Sequence, residues 1–244
     1  MSSPSRPAAE SPTLAETAPS APIVLDVYFD FACPWCYIGR HRMQRALESR
    51  PHAAVRLRWQ PYQLNPGMPR GGIDRRSYLI AKFGALERVA HILRLIRLSA
   101  DNESIPIDLD RIPRTPNTLD AHRLTHFLTG RGQPAEILID RIFAAFMVEG
   151  RDIGDICVLT ELAEELGHRP DMVREYLVSG ADSGLIENRD HAARRMGVQA
   201  VPCFVFNGRY ALSGAQGAAA FLPFIDHPEI YDGEIITAEE ISGS

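Results

Sequence analysis

Two cysteines with two residues between them, Cys33-Pro34-Trp35-Cys36, are the residues of this chain best placed to do chemistry. Cysteines three apart can close a disulfide within one helical turn and open it again. Pro34 lacks an N–H and stiffens the turn between them, and Trp35 adds apolar cover. The preceding stretch from Ile23 to Phe31 is rich in β-branched and aromatic residues, as a buried strand should be. The following stretch, Gly39 to Glu48, carries Met43, Ala46 and Leu47 at helical spacing. Cys33 is therefore expected at a helix N-terminus, where unpaired N–H groups and the macrodipole favour an anion. The thiolate is the nucleophilic form of cysteine, so position and residue type both point to redox chemistry. Cys33 is expected to be exposed and to attack, and Cys36, one turn inside, to resolve.

Two other uses of such a pair have to be weighed. Half of a zinc site would need two more ligands at matching spacing. Cys157 and Cys203 are isolated from each other, and no second C-x-x-C follows. Inert burial is the other, since a free cysteine packs as a small hydrophobe. The strand-to-helix placement favours redox use over both.

A second signal lies far downstream, from Gly197 through Val201-Pro202-Cys203 to Asn207-Gly208. It reads as a helix stop, a proline, a short buried strand and a tight turn, with Tyr210-Ala211-Leu212 as the partner strand. A proline is tolerated at the first residue of a strand, where no ladder bond need be donated. Val201-Pro202 is a candidate cis bond, with a trans proline as the ordinary alternative.

Together these pieces resemble the thioredoxin superfamily, in its DsbA-like branch, and within it the FrnE-like dithiol–disulfide oxidoreductases. The resemblance rests on Asp30 to Gly39, Trp59-Gln60-Pro61-Tyr62-Gln63-Leu64-Asn65-Pro66, Arg114 to Arg123, Glu149-Gly150-Arg151-Asp152-Ile153 and Gly197 to Gln216, spread over residues 22–226. It implies a redox-active Cys33/Cys36 pair, supported by Pro34 and Trp35, with a cis Pro202 packed beside it. It also implies that Val201 offers backbone groups to an extended substrate. Cys203 stands where the family usually has a non-thiol residue.

The elements that must position these residues follow from periodicity. Strand 23–31, helix 36–49 and strand 54–60 make a βαβ unit with parallel strands. Helices are expected over 77–98, 117–129, 136–148, 155–166, 170–177 and 184–196. After the hairpin a last helix spans 217–225. The expected fold class is α/β, a DsbA-like thioredoxin fold interrupted by a large all-helical insertion. The thioredoxin-like part comprises 23–63 and 184–228, the insertion 64–183. Residues 1–22, rich in Ser, Pro and Ala, read as a disordered arm, and 229–244 as a tail. The arm has no basic start followed by an apolar stretch, so it does not read as a secretory signal, and a cytoplasmic location is expected. No apolar run of membrane-spanning length occurs in the 244 residues, and a net charge of −5 argues against nucleic-acid binding. Forty-five per cent hydrophobic residues give an ordinary core.

Other residues carry weaker signals. Asp26 and Asp30 interrupt an apolar strand, and Asp30, three residues before Cys33, is a candidate proton shuttle or a plain loop hydrogen bond. Asn117, Asp120 and Arg123 lie on one helix face and are candidate substrate or glutathione contacts; a capped helix with surface charges is the competing account. Arg40, Arg42, Arg45 and Arg50 either draw in acidic ligands such as glutathione or form a solvated helix face. Cys157 reads as buried filler, and Cys203 as packing or an extra thiol near the site. No metal and no bound cofactor is expected. Glutathione or another thiol is the candidate co-substrate, and protein or small-molecule thiols and disulfides are the partners, with a homodimer open. The rival function is a glutathione-dependent isomerase or transferase of the kappa-class or hydroxychromene-carboxylate isomerase type, families that typically carry serine where Cys33 stands. A partner-binding protein that only keeps the fold is a third.

Overall fold

A computed structural model describes residues 22–228. The expected N-terminal arm, up to residue 21, and the tail 229–244 lie outside the described residues. Strand β1 (Ile23–Phe29) leads through a four-residue corner into α1 (Pro34–Glu48), which returns to β2 (Val55–Pro61), parallel to β1. After the helical stretch, β5 (Cys203–Phe206) pairs antiparallel with β1, and β6 (Tyr210–Ser213) with β5, giving a sheet ordered β2-β1-β5-β6. The hairpin turn is Asn207-Gly208, both residues at positive φ, as a tight two-residue turn requires. Asn207 also fastens the turn to β1, its Oδ1 accepting from the Val24 N–H at 2.8 Å.

Alternation sorts the sheet residues onto two faces. Leu25, Val27, Phe204, Phe206 and Leu212 pack against Met43 and Ala46 of α1, with Phe221 and Phe224 closing the layer. Tyr28 and Cys203, which sit opposite each other in register, belong to the larger cluster that runs into the helices. The helices between the two halves of the sheet are α2 (Arg75–Phe83), α3 (Leu86–Asp101), α4 (Leu119–Thr129), α5 (Ala135–Met147), α6 (Ile156–Glu165), α7 (Pro170–Ser179) and α8 (Ser183–Arg195). The last elements of the described residues are a 3-10 turn, Ala218–Phe221, and α9 (Leu222–Asp226).

Three elements differ from the periodicity reading, one being the last helix expected over 217–225, which is the 3-10 turn and the short α9. The single helix expected over 77–98 is two, because Gly84 adopts φ +90 and its N–H caps Ile80. A two-residue ladder between β3 (Ile73–Asp74) and β4 (Arg114–Thr115) has no sequence signature at that length. It depends on Gly72, at φ +66, where a Cβ would meet the Thr115 carbonyl at 2.5 Å.

Candidate active site

Cys33 is the N-cap of α1, in extended conformation, with Pro34 in the first helical turn. Its carbonyl accepts from the Cys36 and Tyr37 N–H groups, at 3.0 and 3.2 Å. The Cys33 side chain points to the strand-opening loop 168 residues downstream, where its S–H lies 3.7 Å from the Val201 carbonyl. The Val201-Pro202 bond is cis. Pro202 packs on α1 at Gly39: a Cβ there would fall 2.9 Å from the proline Cγ and 3.4 Å from the Phe204 ring. The glycine in mid-helix, which costs helix stability, is what lets the proline strand approach the cysteine turn. Cys33 and Cys36 are free thiols, as are Cys157 and Cys203.

The expected exposure of Cys33 is not what the structure has. Cys33 is 4 % exposed and Cys36 2 %, because the Val201-Pro202 loop closes over the first and the core surrounds the second. Trp35 is partly buried against the same core. Val201, expected to offer its backbone outward, has its carbonyl turned to the Cys33 thiol. Burial pushes the Cys36 thiol well above its ordinary value; the hydrogen bond to the Cys33 sulfur and that sulfur's charge hold the proton further.

Asp30 ties the cysteine turn to two other segments. Its carboxylate accepts from the Ala32 N–H at 3.1 Å and from the Leu64 N–H at 2.6 Å, and it is bonded to the Thr118 side chain at the start of α4. Burial raises its pKa, and these bonds offset part of the rise. It is close enough for its charge to raise Cys36. Asp26 is occupied elsewhere, paired bidentately with Arg58 and accepting from Gln60 at 2.8 Å.

Sequence reasoning missed the clamp behind Asp30. Asp190 accepts the Gln63 N–H at 2.8 Å, and Arg194 bonds Asp190, the Tyr62 hydroxyl and the Gln63 carbonyl. Tyr62 in turn donates to the Gln199 carbonyl, just ahead of Val201. One arginine of α8 thus fixes both the segment that bonds Asp30 and the loop that covers Cys33. Two charged residues at i and i+4 on α8 were the available signal.

The other candidates separate. Arg123 is wholly buried: it pairs with Asp120 at 2.6 Å and donates to the Tyr176, Leu177 and Ala181 carbonyls. It staples the end of α7 and is not free for a ligand. Asn117, one residue before the N-cap of α4, accepts from the Leu119 N–H and donates to the Met68 carbonyl. Asn117 and Asp120 line a cavity of about 480 Å³ with Arg70 and Glu187. The arginines of α1 and of the turn after it each pair with a distant carboxylate, Arg40 and Arg42 largely buried, Arg45 and Arg50 more than a third exposed. Arg40 pairs with Asp140, Arg42 and Arg45 with Glu103, and Arg50 with Asp226. Cys203 faces Tyr28 on the sheet face away from Gly39, its thiol pushed up to about 11 by burial. Cys157, expected as filler, is exposed: it lies in the first turn of α6 with Arg174 3.6 Å from its sulfur.

A strand feeding a Cys-x-x-Cys helix start, opposed by a proline strand, defines a dithiol protein of the thioredoxin type. The chain belongs to the DSBA-like thioredoxin domain family, whose family model matches residues 24–226. It is similar to protein YwbO of Bacillus subtilis, 26 % identical over 81 % of this chain and 92 % of that one. Among solved structures it is similar to a probable DsbA oxidoreductase of Streptomyces coelicolor, with 28 % identity, TM-score 0.77, and 88 % and 94 % of the two chains covered. The fold recurs in the cytosolic disulfide reductase DsbM of Pseudomonas aeruginosa, at 21 % identity, TM-score 0.56, and 83 % and 93 % coverage. That reductase is also known with GSH.

Proposed function

We propose that the protein is a thiol–disulfide oxidoreductase or isomerase working through Cys33 and Cys36 by a mixed disulfide. The observation that carries this reading is geometric: Cys33 is the N-cap of α1, its sulfur 3.7 Å from the Val201 carbonyl beside cis Pro202, with Cys36 one turn inside. The Cys33 thiolate attacks one sulfur of a substrate disulfide, forming a Cys33–substrate disulfide and releasing the other substrate sulfur as a thiolate. Cys36 then loses its proton and attacks the Cys33 sulfur. The Cys33–Cys36 disulfide forms, and the second substrate sulfur leaves and is protonated. The substrate is reduced by two electrons and the pair oxidised by two; reversal oxidises a dithiol, and release after the first step isomerises. Asp30, buried beside Cys36, receives the proton that Cys36 gives up.

Glutathione, or another small thiol, restores the dithiol; the GSH-bound structure of a protein with this fold supports that choice. A reducing cytoplasm suits such a cycle, and the likeness to a cytosolic reductase favours it. Among the described residues no helix is long and apolar enough to cross a membrane.

The test is trapping, in a Cys157→Ser background so that the exposed thiol does not report. Cys36→Ser incubated with glutathione disulfide should accumulate a glutathione adduct on Cys33, read by mass spectrometry, and Cys33→Ser should accumulate none. Disulfide exchange that survives Cys33→Ser refutes the proposal. Full turnover in Cys36→Ser with glutathione bound would favour the glutathione-dependent isomerase or transferase instead.

A further inference from the structure

Three arginines among the described residues are buried, and two of them are paired. Arg40 meets Asp140, and Arg123 meets Asp120 and three carbonyls. The third, Arg75, is 9 % exposed and its guanidinium has no ion pair or hydrogen bond among the described residues. Its backbone N–H donates to the Pro113 carbonyl at 3.0 Å, which fixes where the side chain starts. The Phe146 ring lies 6.0 Å from the guanidinium carbon to the centroid, and Tyr78 is close enough to act on the charge. A ring face is a weaker partner than a carboxylate, and a buried unpaired cation is a costly arrangement. The guanidinium nitrogens are not among the sealed, partnerless polar atoms, so they remain open to the cavity that Arg75 lines.

That cavity, about 340 Å³, lies between α2, α3 and the Leu109–Pro113 segment. Leu79, Val89, Leu93, Leu109 and Ile112 form its wall, with Ile80 and Leu86, both partly exposed, at its mouth. Its two acids are occupied: Asp74 accepts from the Ser77 N–H and hydroxyl, and Asp110 pairs with Arg97. Arg76 adds a second positive charge to the lining. A cavity with apolar walls and one convergent cation is how small-ligand sites are built.

We propose that this cavity binds a small amphipathic organic anion, an aliphatic or aryl carboxylate, with the carboxylate on Arg75 and the tail between α2 and α3. An inorganic anion would leave the wall wet, and a neutral chain would leave the guanidinium unpaired. A carboxylate answers the planar guanidinium with two parallel hydrogen bonds. The site is separate from the cysteines, so it stands or falls independently of the dithiol chemistry.

Isothermal titration of the full chain with sodium octanoate tests this, with octanol and inorganic phosphate as the tail-only and charge-only probes. Octanoate should bind one to one, at least tenfold more tightly than either. Arg75→Met should weaken octanoate at least tenfold with an unchanged or higher urea midpoint, since a lone buried charge is removed. Ile80→Trp, at a partly exposed mouth position, keeps Arg75 but plugs the cavity, and should weaken octanoate equally; it decides the matter if Arg75→Met does not fold. The proposal is overturned if octanoate does not saturate, if both variants bind it as the native chain does, or if phosphate binds as tightly as octanoate.

Discussion

Acidification should unfasten the cysteine corner through His122, and a His122→Gln substitution isolates the effect. The ring of His122 is 3 % exposed and lies against Phe29 and Phe31, with centroids 5.1 and 5.0 Å away. Its Nε2 has no partner among the described residues, and burial lowers its pKa from 6.5 to about 3, against a smaller opposing pull from Asp190 and a bond to the Tyr62 backbone. The folded chain thus refuses a proton that the unfolded chain accepts. Stability is complete above pH 6.5 and falls as pH drops toward 3. Each pH unit between the two values is worth about 1.4 kcal/mol, so the full loss is on the order of 5 kcal/mol, and about 2 kcal/mol is gone at pH 5. That is a large share of a typical domain's ~5–15 kcal/mol. Glutamine keeps an N–H for the Tyr62 carbonyl but takes no proton. It will cost packing against the two phenylalanines at every pH, so the informative quantity is the change between pH values. Urea unfolding at pH 8 and pH 5 should show the native chain losing about 2 kcal/mol more than the variant. Parallel losses would refute the reasoning, because other titrating groups are common to both chains.

Three further outcomes are expected. Asp30→Asn must turn an amide N–H toward either the Ala32 or the Leu64 N–H, which costs about 1–3 kcal/mol. Because burial raises Asp30, the native chain gains most from it below pH 3.8 and loses that gain as pH rises through the raised value. The stability gap between the two chains should therefore narrow from pH 4 to pH 7 in urea unfolding, while stopped-flow resolution of the mixed disulfide slows. A gap that widens would contradict the assigned direction. Gly39→Ala places a methyl 2.9 Å from Pro202, and should destabilise by about 1–3 kcal/mol and slow disulfide exchange; unchanged exchange would show that the proline contact does not set the site. Arg123→Met strands Asp120 and three carbonyls, and should cost about 3–5 kcal/mol by chemical denaturation. A near-neutral result there would mean that Arg123 is not the staple the contacts make it.

What the sequence made legible was local. The cysteines stand where a β-branched run gives way to a helical period, so strand, corner and helix follow from about thirty residues of pattern. Asn207-Gly208 announces its own turn for a similar reason. What stayed hidden depends on partners far along the chain. Cys33 is buried by Val201, and Arg40, Arg42 and Arg50 are paired with Asp140, Glu103 and Asp226. No local period reports such contacts. Cys157 misled because its apolar neighbours Ile156 and Val158 are only partly buried, and the helical turn puts the sulfur on the outer face beside Arg174. Gly84 is a break signal, but the apolar period continues across it from α2 into α3 and masks the break.

An equilibrium titration of the Cys33/Cys36 pair in glutathione buffers, quenched with acid and read by thiol trapping, tests the central claim most directly. The account predicts one reversible two-electron couple between about −120 and −270 mV, abolished by either Cys33→Ser or Cys36→Ser. A chain that shows no intramolecular disulfide at any buffer ratio would contradict it.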